Sequence, residues 1–267
     1  MYGVGLGIAG AAWGTVIAQT GMALGLATVV IRGARHHGAS LRPHPRAIVL
    51  AARGGVPLLV RTVALRGVIL MTTWVAAQYG EVTLAAHQVA WTVWTFLVFA
   101  LDALAIAGQA LIGKALGASD VARTRDLTAL MTRWSVLFGI GLALVIALLA
   151  PVLPVLFTTD PAVRAALTLG LLVVAAGQPA AAYAFLLDGV LIGAGDARWL
   201  ALAGTALLVA YVPVVAVLTA ASGPISAAGD GVALAAIWGG FLVFMTLRAA
   251  TLAYRARSDA WLVTGMR

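Results

Sequence analysis

The length of its uncharged runs restricts this chain more than anything else in it. Seven apolar segments, at about residues 3–31, 56–79, 84–113, 134–157, 163–193, 199–221 and 231–253, are separated by short clusters of charge. Each reaches or exceeds the roughly 20 residues that a helix needs to cross a hydrocarbon layer. A membrane-barrel strand needs about half that length and alternates apolar with polar residues, which these runs do not. Lipid offers the backbone no hydrogen-bonding partner, so each run must satisfy its own amides, as a helix does. With 63% hydrophobic and 10% charged residues and a mean hydropathy of +1.04, most of the chain has lipid as its solvent. The expected fold is an all-α integral membrane protein with seven transmembrane helices.

The charge that remains gives the orientation. A net +8 would point to nucleic acid in a soluble chain, but here the positions account for it and no nucleic-acid partner is expected. Fourteen of the seventeen basic residues fall in the stretches 32–53, 114–133 and 194–198 and in the tail from Arg248. The opposite connections, 80–83, 158–162 and 222–230, hold no basic residue. The positive-inside rule then puts the amino terminus outside and the carboxyl terminus in the cytoplasm. Nothing before Ile31 is charged, so the first run lacks the basic start of a signal peptide. There is no cysteine and there are only four histidines, so neither a metal centre nor a cofactor is expected.

Within the third run, Gln88, Thr92, Thr95, Phe99, Asp102, Ile106 and Gln109 recur at spacings of four and three. They form one stripe of one helix. A carboxylate in mid-membrane is costly; the glutamines and threonines could serve as polar contacts between helices, or the whole stripe could be one wall of a water-accessible cavity where an acid holds a proton, a cation or a substrate. Asp188, toward the cytoplasmic end of the fifth run, is a second such acid. Arg61 and Arg66 lie inside the second run, five residues and about 140° apart, so they cannot face one spot. The same acids and arginines could instead simply neutralise one another between helices. His87 is expected at the outer interface, and Trp74, Trp91 and Trp94 suit an outer aromatic belt as well as any ligand role. Pro179 should bend the fifth helix. Gly5-Leu-Gly7-Ile-Ala-Gly10 matches a dinucleotide fingerprint, but it lacks the preceding strand and the later acidic residue. Gly189 and Gly193, four apart, suit close helix packing.

Gly7-Ile-Ala-Gly-Ala-Ala-Trp13-Gly14 resembles Gly231-Val-Ala-Leu-Ala-Ala-Ile-Trp238-Gly239 with one insertion, six segments later. A six-helix repeat is the unit this implies, with one whole copy here and the last helix of another.

On Ala85-Ala-His-Gln88, Asp102-Ala-Leu-Ala-Ile-Ala-Gly-Gln109-Ala-Leu-Ile-Gly113, Gly117-Ala118, Asp188-Gly189 and Gly193-Ala-Gly195-Asp196, the chain resembles multidrug and toxic compound extrusion (MATE) transporters of the DinF-like branch. The Gly7–Gly14 stretch joins this pattern, and the likeness covers essentially the whole chain. It implies two six-helix lobes that rock between inward- and outward-facing states. It also implies antiport: export of cationic or amphipathic compounds in exchange for H+, or less favourably Na+, across a bacterial cell (inner) membrane.

On this pattern residues 1–31 are the last helix of the amino-terminal lobe and 32–55 a basic cytoplasmic inter-lobe loop. Residues 56–253 are the complete carboxyl-terminal lobe and 254–267 a cytoplasmic tail. The rest of the amino-terminal lobe is then an absent partner, and the 267-residue chain alone is not a competent exporter. The second run has no acid where sodium-dependent relatives carry one, and Ala184 stands where a Tyr often precedes the residue that Asp188 resembles. The site residues expected are Asp102, Asp188, Gln88, Gln109, Thr92, Thr95, Arg61 and Arg66.

Three other classes fit parts of the pattern. A lipid-linked oligosaccharide flippase of the related superfamily would need an Arg-rich cavity, for which Arg61 and Arg66 are the candidates. A retinal protein would need a lysine in the last run, whereas Lys114 is the chain's one lysine and lies in a loop. A structural membrane subunit would tolerate loss of Asp102. No enzymatic chemistry is indicated.

Overall fold

The computed structural model describes residues 7–36, 38 and 44–264. The chain divides into two units, Met1–Ala52 and Arg53–Arg267. The first holds α1, Gly7–His36, and the opening turns of α2, Pro45–Ala77. The second continues α2 and adds α3 (Glu81–Gly117), α4 (Val121–Leu149), a short α5 (Leu153–Phe157), α6 (Pro161–Ala176), α7 (Gln178–Gly193), α8 (Ala197–Ala220), a short α9 (Ser222–Ala227) and α10 (Asp230–Arg257). Among the described residues six helices are long and apolar enough to span a membrane, and α6 with α7, a pair bent by 49°, makes a seventh if the two form one broken span. The protein is an all-α, multi-pass membrane protein.

Helix ends follow local chemistry. Pro45 opens α2, where its missing amide N–H costs nothing. Asp120 accepts from the Arg123 amide at 2.9 Å ahead of α4, and Asp160 accepts from the Ala162 amide at 2.8 Å ahead of α6. Gly80 and Gly229 start α3 and α10 at φ of 98° and 105°, a backbone region closed to most side chains. The bend between α6 and α7 falls at Gly177, just before Gln178-Pro179, as Pro179 predicts. The Gln178 side chain spans the break by donating to the Val174 carbonyl at 3.0 Å.

Helices run past the ends of the apolar segments. Within the stretch 32–55, expected as an inter-lobe loop, α1 runs to His36, and α2 begins at Pro45 and passes through Gly54, Gly55 and Pro57 unbroken. Likewise α4 begins at Val121, well before the apolar run at 134. Charges end a membrane span, but Arg is a good helix former and does not end a helix. The described part of the expected tail, residues 254–264, is partly helical. α10 continues to Arg257, a 3-10 turn follows at Asp259–Trp261, and Trp261 is buried with its indole N–H on the Ala256 carbonyl.

In the second unit α7 is the central element, packed on α3, α4 and α10. Small residues permit this. A Cβ at Gly189 would collide with the Ala105 backbone, and one at Gly193 with the Gln109 backbone, both on α3. Gly139 of α4 meets Pro179 in the same way, and nearby Ser135 donates to the Ala182 carbonyl at 2.6 Å. In lipid such close backbone approach takes the place of a hydrophobic drive between helices. The outward faces are apolar, with Leu148 76% and Phe96 69% exposed, a surface that only an apolar solvent accommodates.

Candidate functional site

The bend at Gly177 and the glycine contact with α3 set Asp188 deep in the second unit, 5% exposed. Its carboxylate is held from two sides. Arg61 of α2 donates from Nε to Oδ1 at 3.2 Å and from Nη2 to Oδ2, and Arg248 of α10 donates from Nη2 to the same Oδ2. The Arg248 guanidinium also lies over the Phe185 ring at 5.1 Å. A lone buried charge would be very costly, and here one acid is shared between two bases, leaving the trio with one excess positive charge.

Beside this trio opens a cavity of about 570 Å3, within the range of small-molecule sites. Its walls come from α2, α3, α7 and α10. Thr95, Phe99, Asp102, Ile106 and Gln109 of the α3 stripe line it, as do Arg61, Arg66, Asp188 and Arg248. Asp102 is half-buried, feels the charges of Arg61 and Arg248, and among the described residues accepts no hydrogen bond. Arg66 is exposed and makes no ion pair with a described residue. Aromatic side chains of α3 and α10 complete the lining: Trp94 meets Phe241 edge-on at 5.2 Å, and Phe241 packs on Phe244 at 5.8 Å.

The structure sorts the expected residues. Asp102, Asp188, Gln109, Thr95, Arg61 and Arg66 come together on the cavity. Gln88 and Thr92 do not; they are exposed nearer the start of α3, where Thr92 donates to the Gln88 carbonyl at 3.0 Å. The Thr95 hydroxyl donates to the Trp91 carbonyl at 2.9 Å, so it is largely satisfied within its own helix. Arg61 and Arg66, expected to diverge, line one cavity at different places. An arginine side chain reaches far enough to offset part of the helical angle.

His87, expected at the outer interface, is covered by protein: it is 1% exposed, with its ring 5.8 Å from that of Trp238 and Nε2 3.4 Å from the Thr73 hydroxyl. Of the three tryptophans assigned to an outer belt, Trp74 is exposed, whereas Trp91 and Trp94 turn inward onto Trp238 and the cavity. In both cases α10 covers a face that hydropathy alone leaves open.

Sequence reasoning missed Arg248. It lies inside the seventh run, 231–253, although the count of basic residues places it in the tail. The same test applied to Arg61 and Arg66, a charge well within an apolar segment, identifies it.

The MatE family model matches residues 57–218. The chain is 31% identical to Protein DETOXIFICATION 44, chloroplastic, of Arabidopsis thaliana, over 98% of this chain and 48% of that protein. It is 33% identical to Protein DETOXIFICATION 45, chloroplastic, of the same plant, over 73% of this chain and 33% of that one. The chain thus spans about half the length, or less, of these relatives. Among solved structures, a MATE protein in complex with MaL6 superposes with a TM-score of 0.68 at 18% identity, covering 81% of this chain and 47% of that one. A MOP superfamily transporter from Pyrococcus furiosus, described as having a binding pocket of reverse polarity that suggests a different function, superposes with a TM-score of 0.69 at 18% identity. It is covered over 46% of its length, and 81% of this chain is matched.

Proposed function

Because the chain belongs to the MATE family of membrane transporters, we propose that its second unit is one wall of the pathway of a secondary active transporter. The cavity between α2, α3, α7 and α10 takes part of an amphipathic compound, and alternating access opens it to each side of the membrane in turn. The observation that carries this reading is a cavity among the membrane-spanning helices that combines aromatic side chains with Asp102, a carboxylate without a hydrogen-bonding partner among the described residues. Asp102 is the group whose protonation is linked to transport. H+ is favoured over Na+ because both oxygens of Asp188 are engaged by guanidiniums, which leaves Asp102 as a single unpaired carboxylate, enough for one proton but a small part of the oxygen shell that a sodium ion needs.

The facing wall belongs to a second six-helix lobe, consistent with relatives about twice as long as this chain. Residues 1–31 would be the last helix of that lobe, and the arginine distribution supports an outside amino terminus and a cytoplasmic carboxyl terminus. A bacterial cell membrane and the DinF-like branch remain part of the reading. The amphipathic half of the expected cargo suits the aromatic side chains. The cationic half, and with it simple exchange against H+, suits poorly a cavity where three guanidiniums face two carboxylates. Arg248 strengthens the flippase alternative, since by sharing Asp188 it leaves Arg61 less neutralised and adds to the positive charge that a phosphate group would meet.

The test is uptake of a fluorescent amphipathic compound into proteoliposomes holding the chain completed by an amino-terminal lobe, driven by a pH gradient. Gradient-dependent transport lost in Asp102→Asn is expected, as is no transport by the 267-residue chain alone. Full gradient-dependent transport by Asp102→Asn would remove the role given to that residue. Full transport by the single chain would remove the need for a second lobe.

A further inference from the structure

The cavity's charges do not balance. Arg61, Arg66 and Arg248 line it against Asp102 and Asp188, and Asp188 is already shared by two of the three guanidiniums. Arg61 Nη1 has no acceptor among the described residues, and Arg66 has no ion-pair partner there. In a medium of low dielectric an excess positive charge is not screened away, so it is held at a cost unless a counter-anion is supplied. A cation entering here would meet net repulsion.

We propose that this cavity is an anion site, which binds the acid group of an amphipathic organic anion between Arg66 and the free edge of Arg61. The apolar part of the ligand lies against Trp94, Phe241 and Phe244. The proposal rests on the reading of the cavity as part of a transport path, and it specifies the class of compound carried. Guanidinium is suited to the task, since its fork of N–H donors matches a carboxylate or phosphate in two-point contact. Arg248 is a positioning residue: it shares Asp188, so that Arg61 is not wholly neutralised by that acid.

Asp102 opposes the anion electrostatically. The charged groups lining the cavity with it are Arg61 and Arg66 of α2, Asp188 of α7 and Arg248 of α10; among the described residues α4 and α6 line it with none. Protonation of Asp102 removes the carboxylate that no guanidinium pairs. Proton and anion therefore favour each other's binding, and by linkage the effect is reciprocal. That sense of coupling is the reverse of competition between a proton and a cationic cargo.

The test is fluorescence binding of two probes of nearly equal shape, 9-anthracenecarboxylate and 9-anthracenylmethylammonium, to the chain in phosphatidylcholine nanodiscs. The carboxylate is expected to bind at least tenfold more tightly. Arg66→Gln, at an exposed side chain, should leave the thermal transition in place and weaken carboxylate binding about tenfold, and Asp102→Asn should strengthen it several-fold. Equal or tighter binding of the ammonium probe overturns the proposal, and so does unchanged carboxylate binding in Arg66→Gln. Displacement of the probe when phosphatidylglycerol replaces phosphatidylcholine assigns the anion to a lipid headgroup, and no displacement assigns it to a soluble acid; either outcome keeps the anion site. Binding needs no gradient, so the two readings fail separately. Carboxylate binding without gradient-driven transport sinks the transporter reading alone, whereas transport of the ammonium probe without carboxylate binding sinks the anion site alone.

Discussion

Asp188 on α7 and Arg248 on α10, sixty residues apart in sequence, form an ion pair in which both side chains are more than nine-tenths buried. Their pairing joins the central helix to the last long one, and Arg61 extends it to α2.

Removing one member of such a group leaves the others charged without water. Asp188→Asn is expected to lower stability by about 3–5 kcal/mol, because two guanidiniums lose their counter-charge. The double variant Asp188→Asn with Arg248→Gln should recover part of that loss. Unfolding midpoints in detergent micelles measure both, and a double variant no more stable than Asp188→Asn would show that the pair is not coupled.

At Gly189 an added Cβ would collide with the Ala105 backbone of α3, and main chain, unlike a side-chain tip, cannot swing aside. Gly189→Ala should force α7 off α3 and cost about 1–3 kcal/mol. Gly141, on α4, has open space around it, so Gly141→Ala should change stability by less than about 1 kcal/mol. Thermal unfolding of the two variants side by side tests the contact; equal effects would show that the approach of α3 and α7 is not tight.

The carboxyl-terminal turn is held by packing more than by charge. Trp261 is 2% exposed, and Trp261→Ala should cost about 3–5 kcal/mol. The nearby Arg125–Asp259 pair is exposed at both ends, and Asp259→Ala should cost less than about 1 kcal/mol. Limited proteolysis of the region after Arg257 should accelerate in the first variant and stay unchanged in the second.

Much of the site was legible because a helix displays its own periodicity. The four-and-three spacing from Thr95 to Gln109 is a property of one helix, and all five stripe residues over that stretch line the cavity. Gln88 and Thr92 obey the same spacing and lie outside it, since nothing in a stripe says where along the helix a neighbouring wall begins or ends. Pro179 was equally legible: its missing amide N–H and its ring act locally, and the 49° bend falls beside it.

What the sequence by itself determined was therefore solvent and span: seven apolar runs that must be helices in lipid, because the backbone has no other way to satisfy its hydrogen bonds there. The tertiary structure decided which faces meet. The depth of Asp188, its division between Arg61 and Arg248, and the inward turn of Trp91 and Trp94 depend on helices drawn together by Gly189, Gly193 and Gly139. Those contacts join residues far apart in the chain, and their effect on charge is collective. Single segments show acids and bases, and only their assembly shows an excess of positive charge around one cavity.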